Sequence, residues 1–307
     1  MNLKRLNALL LIPLFLLGGC VKEEVIPEDT SVSFDIEFAQ HDFVLAGLPS
    51  YVKEKDVYRV EKEEEVALLA YLKVKDEVLD FNYISENELN LDRIYAFLES
   101  LLPFSFNLSS SQMNYTKNEE IVLTLYTLHV EPIFEEWVNV DDYALAIVNQ
   151  AKLKDGSILE EIKNIHDVIV LNTEYDESVL QLDLTKPSTN LSFDSLGVFL
   201  ENTAVCSGYS RAFSALSNSL NIPSLIISSE TMTHAWNLVY DGSAWKFVDT
   251  TFDDPIPDKE GRVLYTYFLL NEKEFIKDGK HIFDKSAQTR LSADEYIYFA
   301  NYVYFNE

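Results

Sequence analysis

The segment HAWNLVYDGSAWKFVDTT, running from His234 to Thr251, constrains the fold more than any other part of the chain. Its centre, Asp241-Gly242, is the kind of dipeptide that closes a two-residue type I′ turn, and apolar and aromatic residues alternate outward on both sides. The segment is predicted to be an antiparallel hairpin. With that turn Tyr240 faces Ser243, Leu238 faces Trp245, Trp236 faces Phe247 and His234 faces Asp249. Opposed side chains on one face have Cβ atoms roughly 4.5–5.5 Å apart, which brings the imidazole onto the carboxylate. A loop running from Asp241 to Ala244 would instead move the register by two and oppose His234 to Thr251, on the same face. Such a pair can be a structural contact capping two aromatic strands. It can equally orient a nucleophilic site, in which the carboxylate accepts from one imidazole nitrogen and turns the other toward a nucleophile.

Two cysteines are present, Cys20 and Cys206. Cys20 ends a leader: Lys4 and Arg5 precede an apolar run from Leu9 to Leu17, then Gly18 and Gly19, the pattern of a secretory signal whose apolar run is too short to span a bilayer. The ending LGGC, Leu17 to Cys20, resembles the lipobox of bacterial lipoproteins. That resemblance implies removal of residues 1–19, lipid on Cys20 and anchoring to the outer face of the cytoplasmic membrane. VKEEVIPEDTS, Val21 to Ser31, follows as an acidic tether without periodicity. Losing Lys4 and Arg5 with the leader takes the formal charge from −27 to −29, a polyanion with nucleic acid excluded as a partner. With Cys20 lipidated, Cys206 has no intrachain disulfide partner, so its thiol is either an inert core group or a reactive one.

The composition, 47% apolar, supports a sizeable core, and no internal repeat or low-complexity tract interrupts it. Residues 32–134 mix predicted strands, Val32–Phe38 and Glu119–Val130, with a predicted helix, Glu63–Val74, and form a smaller α+β region of unassigned role. Tyr71, Phe81, Tyr83 and Tyr95 are expected in its core or rim. From residue 135 the helices lengthen, over 141–153 and 157–176. In the second, Ile158, Leu159, Ile162, Ile165, Val168 and Ile169 are expected to form the buried face, with His166 beside it as a helix-surface or capping-contact residue rather than a ligand. AVCSGYSRAFSALSNSLNIPSLIIS, Ala204 to Ser228, reads as a helix that begins near Cys206 and stops before Pro223, then a strand. A cysteine at a helix N-terminus has the positive end of the dipole favouring its thiolate, and its own N–H can serve an oxyanion.

The order Cys206, His234, Asp249, on a helix start followed by a hairpin, resembles the core of the transglutaminase-like superfamily, a branch of the papain-like cysteine enzymes. The resemblance rests on CSGYS (Cys206–Ser210), HAWN (His234–Asn237) and DTTFDD (Asp249–Asp254), with IHDVIVLNTEYD (Ile165–Asp176) similar to the first core helix and YTYFLLNEKEF (Tyr265–Phe275) to the elements that follow. It spans about residues 140–285. It implies an α+β fold, a helix carrying the cysteine packed on an antiparallel sheet carrying the histidine and aspartate, within a domain at 135–307. It also implies Cys206 as nucleophile, His234 as general base and acid, and Asp249 as the residue orienting the imidazole. Thr250 stands where a proline is frequent. Tyr209 and Trp236 are weak candidates for the second oxyanion donor or a substrate-side role, against packing roles for both.

The implied reaction is formation of a thioester on a protein or cell-wall peptide amide, resolved by water in a protease or amidase, or by an amine in a crosslinking acyltransferase. Two other readings stand beside it. One is a papain-related cell-wall endopeptidase, whose nucleophile element also reads Cys-Ser-Gly. The other is a binding or scaffold lipoprotein that keeps the fold without the chemistry. No cofactor is expected, and no metal: His41, His129, His166, His234 and His281 lack ligand spacing, and Asp253, Asp254 and Asp258 read as a solvated acidic loop rather than a calcium site. The oligomeric state is not legible.

Overall fold

Proline and glycine placement, helix caps and strand alternation account for most element boundaries in the computed structural model, which describes residues 37–38 and 57–306, apart from 118, 155, 182–189 and 255. The leader, Cys20 and the acidic tether lie outside the described residues, as does the predicted strand from Val32 save its last two residues. The elements run β1 (Glu37–Phe38), β2 (Val57–Arg59), α1 (Glu63–Lys75), β3 (Asp80–Ile84), α2 (Leu91–Leu101), β4 (Phe106–Lys117), β5 (Glu120–Pro132), α3 (Val140–Ala151), α4 (Ile158–Asn172), β6 (Glu174–Tyr175), β7 (Thr203–Ala204), α5 (Cys206–Ser219), β8 (Ser224–Ser229), β9 (His234–Tyr240), β10 (Trp245–Val248), α6 (Thr250–Asp253), α7 (Glu272–Phe275) and α8 (Ala293–Phe305), with short 3₁₀ and π turns between them. No helix among the described residues is long and apolar enough to cross a membrane.

The fold is α+β. One sheet has the order β1-β2-β3-β5-β4, with β2 and β3 parallel and the other pairs antiparallel; the second is antiparallel β10-β9-β8. Phe81 and Tyr83 are buried as expected, as is Tyr71, while Tyr95 is half-buried against Phe106. One continuous cluster of buried side chains runs from Tyr58 to Val303, so residues before 135 share a core with those after it. Helix α4 starts at Ser157, whose hydroxyl accepts from Glu160 N–H while the Glu160 carboxylate accepts from Ser157 N–H, a reciprocal cap. Ile158, Ile162, Ile165 and Ile169 are buried, but Leu159 is 48% exposed and Val168 half-buried. The core-facing stripe of this helix is narrower than expected and takes in His166 instead of Leu159.

The hairpin forms in the longer of the two registers. Tyr240 opposes Trp245, Leu238 opposes Phe247 and Asn237 opposes Val248, leaving Asp241 to Ala244 as the loop. The cause is the Asp241 side chain, which accepts from Ser243 N–H, Ser243 hydroxyl and Ala244 N–H, each at 2.8 Å, and so holds a wider turn than Asp-Gly alone would make. The ladder ends at Val248, and Asp249 leaves the strand to cap α6, its carboxylate accepting Phe252 N–H at 3.0 Å.

Helix α5 packs across this sheet. Buried Asn237 on β9 donates to Ser210 carbonyl at 3.0 Å, which ties the strand to the first turns of the helix and accounts for the asparagine in HAWN. Gly208 lets the start of α5 lie on the 190–194 segment: a Cβ there would meet Ser192 carbonyl at 2.5 Å and Asp194 carbonyl at 2.9 Å.

Candidate active site

Cys206 is the first residue of α5, half-buried, with a free thiol. Val205 before it is extended and provides no side-chain cap, so the N–H groups of the first turn keep their donors for another acceptor. The strand β7 that leads into the helix runs parallel to β6, with Ala204 beside Tyr175. Tyr175 comes close enough to Cys206 for burial, then the sulfur's charge and Asp176, to hold its phenol above the ordinary tyrosine range.

His234 opens β9 and hydrogen-bonds the Cys206 side chain. Its Nε2 lies 2.7 Å from Asp249 Oδ2, which leaves Nδ1 as the nitrogen for the thiol. The contact expected from sequence is thus present, although by a different route: His234 and Asp249 are not opposed in the ladder, and the cap turn at Asp249 swings the carboxylate back to the imidazole. Burial works against charge on His234, but the Asp249 carboxylate, and behind it Cys206, outweigh it and push the imidazolium up to about 10. Asp249 is fully buried, which opposes its ionisation; hydrogen bonds and charge from His234 and His281 overcome this and hold it at about 2.

His281 is the residue that sequence reasoning missed. Its Nε2 lies 2.8 Å from the same Asp249 Oδ2, inside a box formed by Phe275, Tyr267, Phe252 and Trp236. It lies far along the chain from Asp249, in a segment without periodicity, and nothing in the sequence pairs the two. Among the described residues, His234, Asp249 and His281 are also the cluster whose ligand atoms could surround an ion. Contacts of 2.7 and 2.8 Å are hydrogen-bond lengths, shorter than the roughly 3.3 Å separating two ligand atoms bound tetrahedrally at about 2.0–2.1 Å. The set is arranged around protons.

His166 is not at the helix surface. It is fully buried, with Nδ1 3.1 Å from Asp167 and Nε2 3.3 Å from Asp253, and it stacks on Tyr265 and meets Phe268 edge-on. Burial opposes its charge, but the two carboxylates hold its pKa above the ordinary value. Asp253 and Asp254 are buried rather than solvated, and only Asp258 of that trio is exposed. Asp253 also accepts from Thr266 and Tyr267 N–H, which folds residues 264–267 over the α6 turn. Asp254 accepts from the Tyr209 hydroxyl, and burial, with the charge of Asp258 and Glu174, raises it to about 6. Tyr209 is therefore committed to Asp254 and buried. Trp236 is buried against His234 and His281, its indole N–H without a partner. His129 pairs with Asp80 on the first sheet, and His41 lies outside the described residues.

Residues 146–250, from α3 to the residue after Asp249, match the model of the Transglutaminase-like superfamily. No functionally curated protein matches the chain. Solved structures similar to it include a TGase, at 17% identity over 59% of this chain and 53% of that one with a TM-score of 0.35. A candidate cysteine protease from Cytophaga hutchinsonii shows 15% identity over 52% and 68%, TM-score 0.29. The periplasmic domain of TgpA from Pseudomonas aeruginosa shows 15% identity over 52% and 70%, TM-score 0.28. The chain spans about half the length of the first of these. Over residues 146–250, this chain carries a domain of the transglutaminase-like superfamily.

Proposed function

We propose that the protein is an exported cysteine enzyme, tethered by lipid on Cys20, that forms a thioester on a protein or peptide amide. The observation that carries this reading is the contact chain Cys206–His234–Asp249, in which a free thiol at an uncapped helix start meets an imidazole backed by a buried carboxylate. Cys206 sulfur, as thiolate, adds to the amide carbonyl carbon. The oxyanion that forms meets the N–H groups of the α5 first turn, which no side chain caps. His234 Nδ1 gives its proton to the departing amine as the C–N bond breaks. The thioester is then attacked by water or by an amine that loses a proton to His234, and the thiolate leaves. Asp249 stays ionised throughout, holding the ring and its positive charge.

The same site serves hydrolysis and crosslinking, and what reaches the thioester decides between them. The test is incubation of the purified protein with a labelled peptide amide and with purified peptidoglycan, each with and without a primary amine, beside Cys206→Ala. Cleavage or amine incorporation lost in Cys206→Ala is the expected result. Release of muropeptides alone would move the substrate to the cell wall, and equal behaviour of a folded Cys206→Ala protein in every assay would overturn the enzyme reading in favour of a binding lipoprotein.

A further inference from the structure

Asp249 Oδ2 accepts from two imidazoles at once, His234 at 2.7 Å and His281 at 2.8 Å, while Oδ1 takes the Phe252 N–H. The two donors fill both lone pairs of one buried oxygen, so each imidazole shares Asp249 Oδ2 with the other. His281 is built to be there. Its side chain is fully enclosed, with Phe275 ring 3.9 Å and Tyr267 ring 4.6 Å away. Three residues on, buried Asp284 accepts from Glu230 N–H, Thr231 N–H and the Thr231 hydroxyl, and Ser229 hydroxyl donates to Ile282 carbonyl. The loop carrying His281 is thereby sewn onto the turn that immediately precedes His234. The two imidazoles are held on either side of one carboxylate by a shared set of hydrogen bonds.

The two ring nitrogens of His281 have different surroundings. Nε2 faces a carboxylate and must donate, while Nδ1 is buried with no hydrogen-bond partner. The remaining titratable groups around it are Tyr267, whose hydroxyl donates to Asp278 at 2.5 Å, and exposed Asp278 itself; around His234 the remaining one is Cys206.

We infer that His281 is a positioning residue for the Cys206–His234 pair: by occupying part of Asp249 Oδ2, it weakens the hold of that oxygen on the His234 imidazolium. The inference rests on the reading of Cys206 and His234 as a reactive pair. A fully committed carboxylate would stabilise the imidazolium so well that donating the proton to the leaving amine becomes slow. A carboxylate shared with a second N–H donor keeps the ring oriented and still lets the proton go.

The test is a pH titration of the histidine ring nitrogens by ¹⁵N NMR in the full chain, with kinetics alongside, for wild type, His281→Leu and His281→Gln. Gln can present an N–H where the ring Nε2 stood. In His281→Leu, the His234 titration is expected to rise by about one pH unit, tenfold in the equilibrium constant, and kcat to fall with KM unchanged. In His281→Gln both should stay at the wild-type values. Identical titration of His234 in wild type and a folded His281→Leu protein overturns the inference, and so does an equal shift in both variants, which would make packing the cause. Should His281→Leu fail to fold, the wild-type spectrum decides: an Nδ1–H tautomer at His281 overturns the inference, the Nε2–H tautomer with an unmoved Gln variant supports it. The titration needs no substrate, so a protein inactive on every amide tested would defeat the proposed function while leaving this result readable.

Discussion

Replacing Asp249 with Asn tests the electrostatics of the site through stability, without knowledge of a substrate. Asn keeps the shape and one acceptor but removes the charge that backs both imidazoles. His234 has its folded pKa raised from 6.5 to about 10, so its contribution is fully present below pH 6.5 and is lost as pH rises toward 10. Asp249 is lowered from 3.8 to about 2, so its contribution is present above pH 3.8 and is lost as pH falls toward 2. The pair therefore stabilises most between those limits. Breaking a buried pair costs about 3–5 kcal/mol, and each pH unit above 6.5 removes about 1.4 kcal/mol of what His234 contributes. Urea unfolding at pH 5.5, 7 and 9, with Cys206→Ala in both proteins to remove the thiol's ionisation, should show a gap of about 3–5 kcal/mol at pH 5.5. The gap should shrink by roughly 3 kcal/mol by pH 9. A gap that stays constant from pH 5.5 to 9 would refute the argument, because it would mean that no proton is bound more tightly in the folded state at this pair.

Two further substitutions test how the site is held. Gly208→Ala places a Cβ against the Ser192 and Asp194 carbonyls, both backbone and neither able to retreat cheaply. A loss of about 1–3 kcal/mol in urea unfolding is expected, with slower alkylation of Cys206 by iodoacetamide as the helix start is pushed away from His234. His166→Leu leaves Asp253 without its cation in a dry site, and should cost about 3–5 kcal/mol at pH 6. Because the His166 pKa is raised, that loss should diminish as pH climbs above 6.5, and a thermal-melt series across pH 5.5–9 checks the sign.

What could be read in advance depended on how local the cause was. The cysteine at a helix start and the stop before Pro223 follow from periodicity and breakers, whereas the His–Asp contact forms through the cap turn at Asp249 and not through the expected register. The register differed because one side chain, Asp241, competes with its own backbone geometry and widens the turn. His166 carries the opposite lesson. Its neighbours on the helix, Lys163 and Asp167, give that stretch a polar character, and only Tyr265 and Phe268, a hundred residues later, bury it. Tyr209 falls where a donor near Cys206 could stand, yet Asp254 takes its hydroxyl. His281 had no local signal, since its meaning arises when the 281–284 segment is sewn to the turn before His234.

The residues before 135 reach the candidate site through helix α5. Arg211, on the second turn of α5, pairs with Glu99 of α2 at 3.2 Å, and Ser105 N–H donates to Asp194 at 2.6 Å, on the very segment that receives Gly208. Phe97 of the same helix α2 packs on Phe299 of α8 at 4.7 Å between ring centres. Helix α5 packs on the β8–β9–β10 sheet, and Glu99 and Ser105 tie it and the 190–194 segment to the first region. A nucleophile at a helix start can act only if that start does not move by an ångström relative to its imidazole. Asn237 sets the helix against His234's own strand, and Glu99 and Ser105 pair with Arg211 on the helix and Asp194 on the segment beneath it.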